Sequence, residues 1–217
     1  MPTVLITGAA RGLGLEFVRQ YRAAGWDVVA TARGPSEELA ATGAKIVTLD
    51  MTDFAAVAGV KIERPLDLLI ANAGIAQPAE ARTAEDAAGW LDTFRVNSIA
   101  PILLAQALLP RLAESKGKAI AISSEMGSIA GSSTAWIPYR ASKAALNMAW
   151  HVLANEVRDQ GVTLATMHPG WVQTDMGGPG ATIDAPTSVR GMMAVIDGLE
   201  IGQSGGFFGY DGREIPW

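Results

Sequence analysis

Short apolar runs alternate with longer stretches of helical period along the whole chain of 217 residues. Runs suited to strands cover 2–7, 27–32, 45–49, 67–71, 118–124, 162–167 and 206–209. Thr3-Val4-Leu5-Ile6 is typical: continuous, apolar and partly β-branched, as a strand covered on both faces requires. Helical periodicity fills 12–24, 36–42, 53–59, 84–114, 136–160 and 185–200. The fourth of these reads as one helix bent or broken near Pro101, whose ring cannot continue the hydrogen-bond ladder. The alternation predicts an α/β fold of three layers: a doubly wound parallel sheet of about seven strands, with helices on both faces. No linker or shift of composition marks a second domain, so 1–217 reads as a single unit.

Composition narrows the function classes. Hydrophobic residues make up 49% and charged residues 18%, which supports a large core and argues against disorder. A net charge of −5 offers no basic footprint for nucleic acid and no attraction to an anionic membrane. There are no cysteines, hence neither a disulfide framework nor a thiolate metal site. The longest apolar run, 99–110, has a proline near each end and reads as too short to cross a bilayer. No basic-then-apolar leader opens the chain, so a cytoplasmic protein is expected. His151 and His168 lack ligand-like spacing, so no metal is expected. Ser124 lacks the G-x-S-x-G turn of an α/β hydrolase nucleophile.

Candidate chemistry concentrates at predicted strand ends. Tyr139 and Lys143 are four residues apart at the start of a helical pattern, which puts both on one helix face. A nearby ammonium favours phenolate and would lower the tyrosine pKa towards neutrality, where proton transfer is most useful. Alone, such a pair also reads as a solvated aromatic and a solvated cation. Thr7-Gly8-Ala9-Ala10-Arg11-Gly12-Leu13-Gly14 joins the first strand to the first helix. Glycines there let backbone approach a pyrophosphate, and the helix N-terminus supplies free N–H groups. The strand 67–71 ends in Asn72-Ala73-Gly74, and 118–124 ends in Ser123-Ser124. Open α/β sheets bind ligands at strand C-terminal ends, so these features can converge on one crevice.

With these motifs in this order the chain resembles the short-chain dehydrogenase/reductase family, whose fold is of the Rossmann type. The tail Phe207 to Trp217 and the run His168 to Met176 resemble its C-factor-like and sniffer-like carbonyl reductase branch. The resemblance implies NADP(H)- or NAD(H)-dependent reduction of ketones and aldehydes to alcohols, or the reverse, by hydride transfer. Tyr139 would be the general acid, Lys143 would stabilise its phenolate and hold the nicotinamide ribose, and Ser124 would orient the carbonyl, with Ser123 as a competitor. Asn97 reads either as a surface asparagine or, by the resemblance, as a helix-distorting residue that holds a water leading to Lys143. Gly8, Gly12, Leu13, Gly14, Asn72, Ala73 and Gly74 would line the cofactor path. Asp50 and Met51 would meet the adenine, and Pro169, Gly170, Val172 and Thr174 the nicotinamide. Segment 175–190 would be a short substrate lid, leaving an open pocket with a mobile rim.

Cofactor choice turns on charge. Thr31-Ala32-Arg33 stands where NAD-specific folds carry an acidic residue, and Arg11 precedes Gly12. Two arginines suit a 2′-phosphate, so NADP(H) is expected ahead of NAD(H). Trp136, Ile137, Met126, Trp171, Met176, Met192 and Met193 offer an apolar wall for a lipophilic or aromatic carbonyl substrate. The helices 99–114 and 136–160 carry more apolar surface than one sheet face needs, which predicts a homodimer or homotetramer through them. The alternative function is a nucleotide-binding signalling protein of C-factor type with little or no turnover.

Overall fold

The computed structural model of the chain describes residues 1–76, 83 and 86–217. Seven parallel strands form one sheet in the order β3-β2-β1-β4-β5-β6-β7. They are β1 Thr3–Ile6, β2 Asp27–Ala32, β3 Lys45–Thr48, β4 Leu68–Ala71, β5 Lys118–Ile122, β6 Thr163–His168 and β7 Phe207–Gly209. Each matches a run expected from the apolar pattern. A parallel sheet must be covered on both faces, and alternate residues of the central strands divide between two cores. Leu5, Leu69, Ala119 and Leu164 face one layer with Leu104, Leu108, Leu146 and Trp150. Val4, Ile6, Ile70 and Ile120 face the other with Phe17, Val18, Met192 and Ile196.

The covering helices are α1 Gly12–Ala23, α2 Glu37–Ala40, α3 Phe54–Ala58, α4 Asp86–Phe94, α5 Ala100–Ser115, α6 Ile137–Glu156 and α7 Ala185–Gly198. α2 and α3 are shorter than their patterns suggest. Ser36 and Asp53 accept from Leu39 and Ala56 amides and set where these helices start.

The long fourth helix differs from expectation in an instructive way. Residues 84 and 85 lie outside the described residues. From Asp86 the helix runs without a break to Ser115. Pro101 neither breaks nor ends it. Instead Arg95–Ile99 widens into a π turn, with the Ala100 amide donating to the Arg95 carbonyl. Pro101 has no N–H to give to the carbonyl four residues back, at Asn97, and a π turn absorbs that loss. This helix of thirty residues is long and apolar enough to cross a membrane by length and composition, which corrects the expectation from the 99–110 run. Half of its most apolar window is buried inside the fold, as a core helix requires.

Between β1 and β4 the winding of the sheet reverses. That reversal is the position where doubly wound sheets take ligands.

Candidate active site

The β1–α1 turn is shaped by close backbone approach. Gly8 is left-handed (φ 66°), and a Cβ there would come 2.8 Å from the Ala73 Cα. A Cβ on Gly14 would overlap the Gly8 carbonyl and lie 2.6 Å from Asn72 Nδ2. Asn72 closes this turn: its Nδ2 donates to the Thr7 carbonyl at 2.9 Å and to the Gly8 carbonyl at 3.3 Å. The Asn72 and Ala73 amides both donate to Thr7 Oγ1 at 3.0 Å. Thr7, singled out in the sequence only as the start of a motif, thus ties the ends of β1 and β4 together. No side chain caps the N-terminus of α1, so its first N–H groups stay available to an anion.

A cavity of about 280 Å³ opens beside this turn. Gly8, Arg11, Gly12, Leu13 and Gly14 line one side. Arg33, Asp50 and Met51 line its outer end, and Asn72, Ala73 and Gly74 its floor. Tyr139, Lys143, Pro169 and Thr174 line the far end. The fit to a dinucleotide is steric as well as electrostatic: the missing Cβ atoms at Gly8 and Gly14 let the turn close against Ala73 and Asn72, which bares its backbone beside the cavity. Asp50 accepts from the Thr52 amide at 2.8 Å and hydroxyl at 2.9 Å, and these bonds hold its carboxyl below the usual range. Arg33 makes no ion pair among the described residues. Arg11 is engaged differently from expectation, with its Nη1 2.7 Å from Asp175 Oδ2.

A second cavity of about 570 Å³ adjoins the first. Tyr139, Ser123, Leu13, Pro169, Thr174 and Met176 line both. Gly170 and Val172, expected at the nicotinamide, line only the second. Met126, Trp136, Trp171 and Met176 form the expected apolar wall. Ile137, Met192 and Met193 do not belong to it. Ile137 is exposed, Met192 is fully buried, and Met193 packs on the same core, because α7 turns this face to the sheet. The cavity also has a polar end, which the sequence reading missed. Glu125 lies 3.0 Å from Arg213 and 3.5 Å from His168 Nε2. Burial pushes His168 below its ordinary pKa, against the pull of Glu125.

Tyr139 stands at the junction. Its phenol faces the Ser124 side chain. Ser123 is turned away and donates to Asn147 Oδ1 at 2.6 Å, which leaves Ser124 as the serine facing Tyr139. Lys143 is buried, its Nζ donating to the Ile122 carbonyl at 2.8 Å and lying 5.8 Å from the centre of the Tyr139 ring. The expected depression of the tyrosine pKa is not what the geometry produces. Burial raises the phenol, and the neighbouring Ser124 side chain only partly opposes it. Burial likewise brings Lys143 down to about 8. The physical reason is that desolvation disfavours both charged forms, while the ammonium sits over the ring and is spent on a carbonyl. A phenol that stays protonated at neutral pH is a proton donor held in readiness.

Asn97 lies behind this group and lines neither cavity. It is buried in the π turn. Its Oδ1 accepts from the Ile75 amide at 2.8 Å, and its Nδ2 donates to the Ile75 carbonyl at 2.8 Å and to Ser142 Oγ at 3.0 Å. Its side chain therefore links the loop after β4 to α6, rather than standing on the surface.

Two supports were invisible in the sequence. Arg140, inside the Tyr139–Lys143 motif, donates from Nε to the Ala135 carbonyl at 3.0 Å and from Nη2 to Ser133 Oγ at 2.8 Å. It holds a loop whose last residues, Ala135 and Trp136, are both left-handed (φ 70° and 59°), a costly conformation for residues with a Cβ. Hydrogen bonds join the segment after β6 to the rim at 175–183. Trp171 Nε1 donates to the Gly177 carbonyl at 2.8 Å, and the Gln173 amide to the Ile183 carbonyl at 2.9 Å. Among the described residues no cluster of side chains could hold a metal ion.

Comparison with known proteins agrees with this geometry. A family model described as short chain dehydrogenase matches residues 2–182. The C-signal protein of Myxococcus xanthus is 46% identical over 155 residues, covering 70% of this chain and 93% of that protein. The carbonyl reductase Sniffer of D. melanogaster superposes with a TM-score of 0.91 at 34% identity, each chain covered in full. An NADPH-bound carbonyl reductase from chicken fatty liver gives a TM-score of 0.88 at 34% identity, over 100% of this chain and 99% of that one.

Proposed function

The chain belongs to the short-chain dehydrogenase family, and on that premise we propose that it is an NADP(H)-dependent carbonyl reductase. The observation that carries the reading is the position of Tyr139 on both cavities, facing the Ser124 side chain and beside Lys143. The nicotinamide, when bound in the glycine-lined cavity, supplies or accepts a hydride. The chain does the rest. Ser124 and Tyr139 hydrogen-bond the carbonyl oxygen, and Tyr139 gives it a proton as the carbon is reduced. Lys143 then steadies the phenolate. Asn97 positions the floor and α6 through Ile75 and Ser142. Apolar walls at Met126, Trp136, Trp171 and Met176 suit lipophilic or aromatic ketones and aldehydes.

The NADP(H) preference rests on Arg33 and Arg11 and on the NADPH bound by the similar avian reductase. Removing both arginines should weaken NADPH far more than NADH. Assembly into homodimers or homotetramers is part of the proposal. Ile99, Met148 and Val152 remain exposed on the helices expected to pair, although Leu146, Trp150 and Leu153 are covered within the subunit. Light scattering at micromolar concentration measures it, and a purely monomeric mass would remove this part alone. The likeness to C-signal fits the alternative of a signalling role without turnover only weakly, and sensing alone needs only the glycine turn. The deciding assay follows NADPH consumption with a panel of aromatic and aliphatic carbonyls. Turnover is expected; NADPH binding with no turnover of any carbonyl would favour the signalling reading.

A further inference from the structure

The cofactor-side cavity contains two arginines in different states. Arg33 is exposed and has no ion-pair partner among the described residues. Arg11 is paired with Asp175 at 2.7 Å. Both side chains of that pair are 75% exposed, so exchanging one partner for another uncovers no buried charge. The segment bearing Asp175 sits against the glycine turn: a Cβ on Gly12 would meet Thr174 Cγ2 at 3.5 Å. Asp175 and Arg11 line the same cavity, so this carboxylate stands beside the path of any phosphate-bearing ligand there.

We propose that Asp175 is a specificity-determining residue: it holds Arg11 in an ion pair that the 2′-phosphate of NADP(H) must displace, and so it limits the preference for NADP(H) over NAD(H). The proposal rests on the NADP(H) reading above. A dianionic 2′-phosphate competes with a monoanionic carboxylate for one guanidinium, and bidentate pairing favours the phosphate. NADH lacks that group and leaves the pair in place. Arg33 contributes a constant attraction that does not depend on Asp175. An exposed ion pair is weak, so the competition is worth at most about fivefold in affinity.

The test is calorimetric titration of NADPH and of NADH into the full chain and its variants at low salt. Asp175→Asn should tighten NADPH by about three- to fivefold and change NADH by less than about 1.5-fold. Asp175→Glu, which keeps the charge, should behave as wild type. In an Arg11→Gln background Asp175→Asn should give no gain. High salt should shrink the difference, since the pair is exposed. Equal weakening of both cofactors by Asp175→Asn would make the pair a mechanical clasp and overturn the proposal. So would unchanged NADPH affinity in a variant whose wild type binds NADPH, and that result would leave the reductase reading intact. A wild type that binds neither dinucleotide overturns both.

Discussion

The cavity beside the glycine turn borders tightly packed backbone at Gly8, Gly14 and Ala73, and the cavity beside Trp136 borders large side chains at Met126, Trp136 and Trp171. In the first, the ends of β1 and β4 are locked by Thr7 and Asn72, and Gly8 and Gly14 leave no room for a Cβ. In the second, Met126, Trp136 and Trp171 sit on loops held by individual hydrogen bonds from Arg140 and Trp171. The first shape follows from the sheet and tolerates little change. The second depends on a few contacts that can be lost one at a time, as suits a surface that decides which carbonyl enters. Tyr139, on both, is where they must meet.

Four substitutions probe this contrast. Tyr139→Phe removes the shared proton donor and touches neither wall. Turnover should fall by about a hundred- to ten-thousand-fold, with NADPH affinity within about twofold of wild type. Steady-state kinetics and titration read this, and turnover within tenfold of wild type would mean that the cavities do not meet at the phenol. Gly14→Ala attacks the backbone wall. Its methyl group would strike the Gly8 carbonyl and Asn72 Nδ2, so stability should drop by about 3 kcal/mol or more, and NADPH binding should be lost. Thermal and denaturant unfolding measure the first effect, and calorimetry the second.

Lys143→Met separates stability from catalysis at the junction. Burial lowers Lys143 from 10.5 to about 8, so the unfolded chain holds the proton more tightly than the folded one. The penalty is therefore complete below pH 8 and is relieved as pH rises from about 8 to 10.5. At pH 7 the variant should be more stable by up to about 3 kcal/mol, less what the lost bond to the Ile122 carbonyl costs. The advantage should vanish by pH 10.5, and turnover should be low throughout. An advantage that persists above pH 10.5 would assign it to packing instead of charge.

Arg140→Ala should have the smallest effect and the most local one. It frees the Ala135–Trp136 turn, so KM for bulky carbonyls should rise about five- to tenfold while kcat stays within about twofold. Unfolding stability should change by less than about 1 kcal/mol. A change as large as that of Gly14→Ala would erase the distinction between the two walls.

Much of the site was legible in the sequence. Strand positions, the glycine turn, Asn72 and the Tyr139–Lys143 pair follow from local pattern, because each depends on strand ends and helix spacing that the chain carries in its own period, whereas the choice of Ser124 over Ser123 came from the family resemblance. Asn97 was half legible: mid-helix asparagine is unusual, but its partners Ile75 and Ser142 are 22 and 45 residues away. Asp175 gave no signal, since its partner Arg11 is 164 residues distant. Glu125, His168 and Arg213 meet only because β6, the turn after β5 and the hairpin after β7 end side by side.

The amino-acid sequence by itself determined the order of elements, the winding of the sheet and the chemistry placed at its strand ends. These are properties of period, glycine placement and residue type, which act over a few positions. Tertiary structure alone decided the protonation preferences at Tyr139 and Lys143, the partner of Arg11 and the polar end of the substrate cavity. Desolvation and charge pairing depend on what distant segments bring within a few ångströms, and no local pattern encodes that distance.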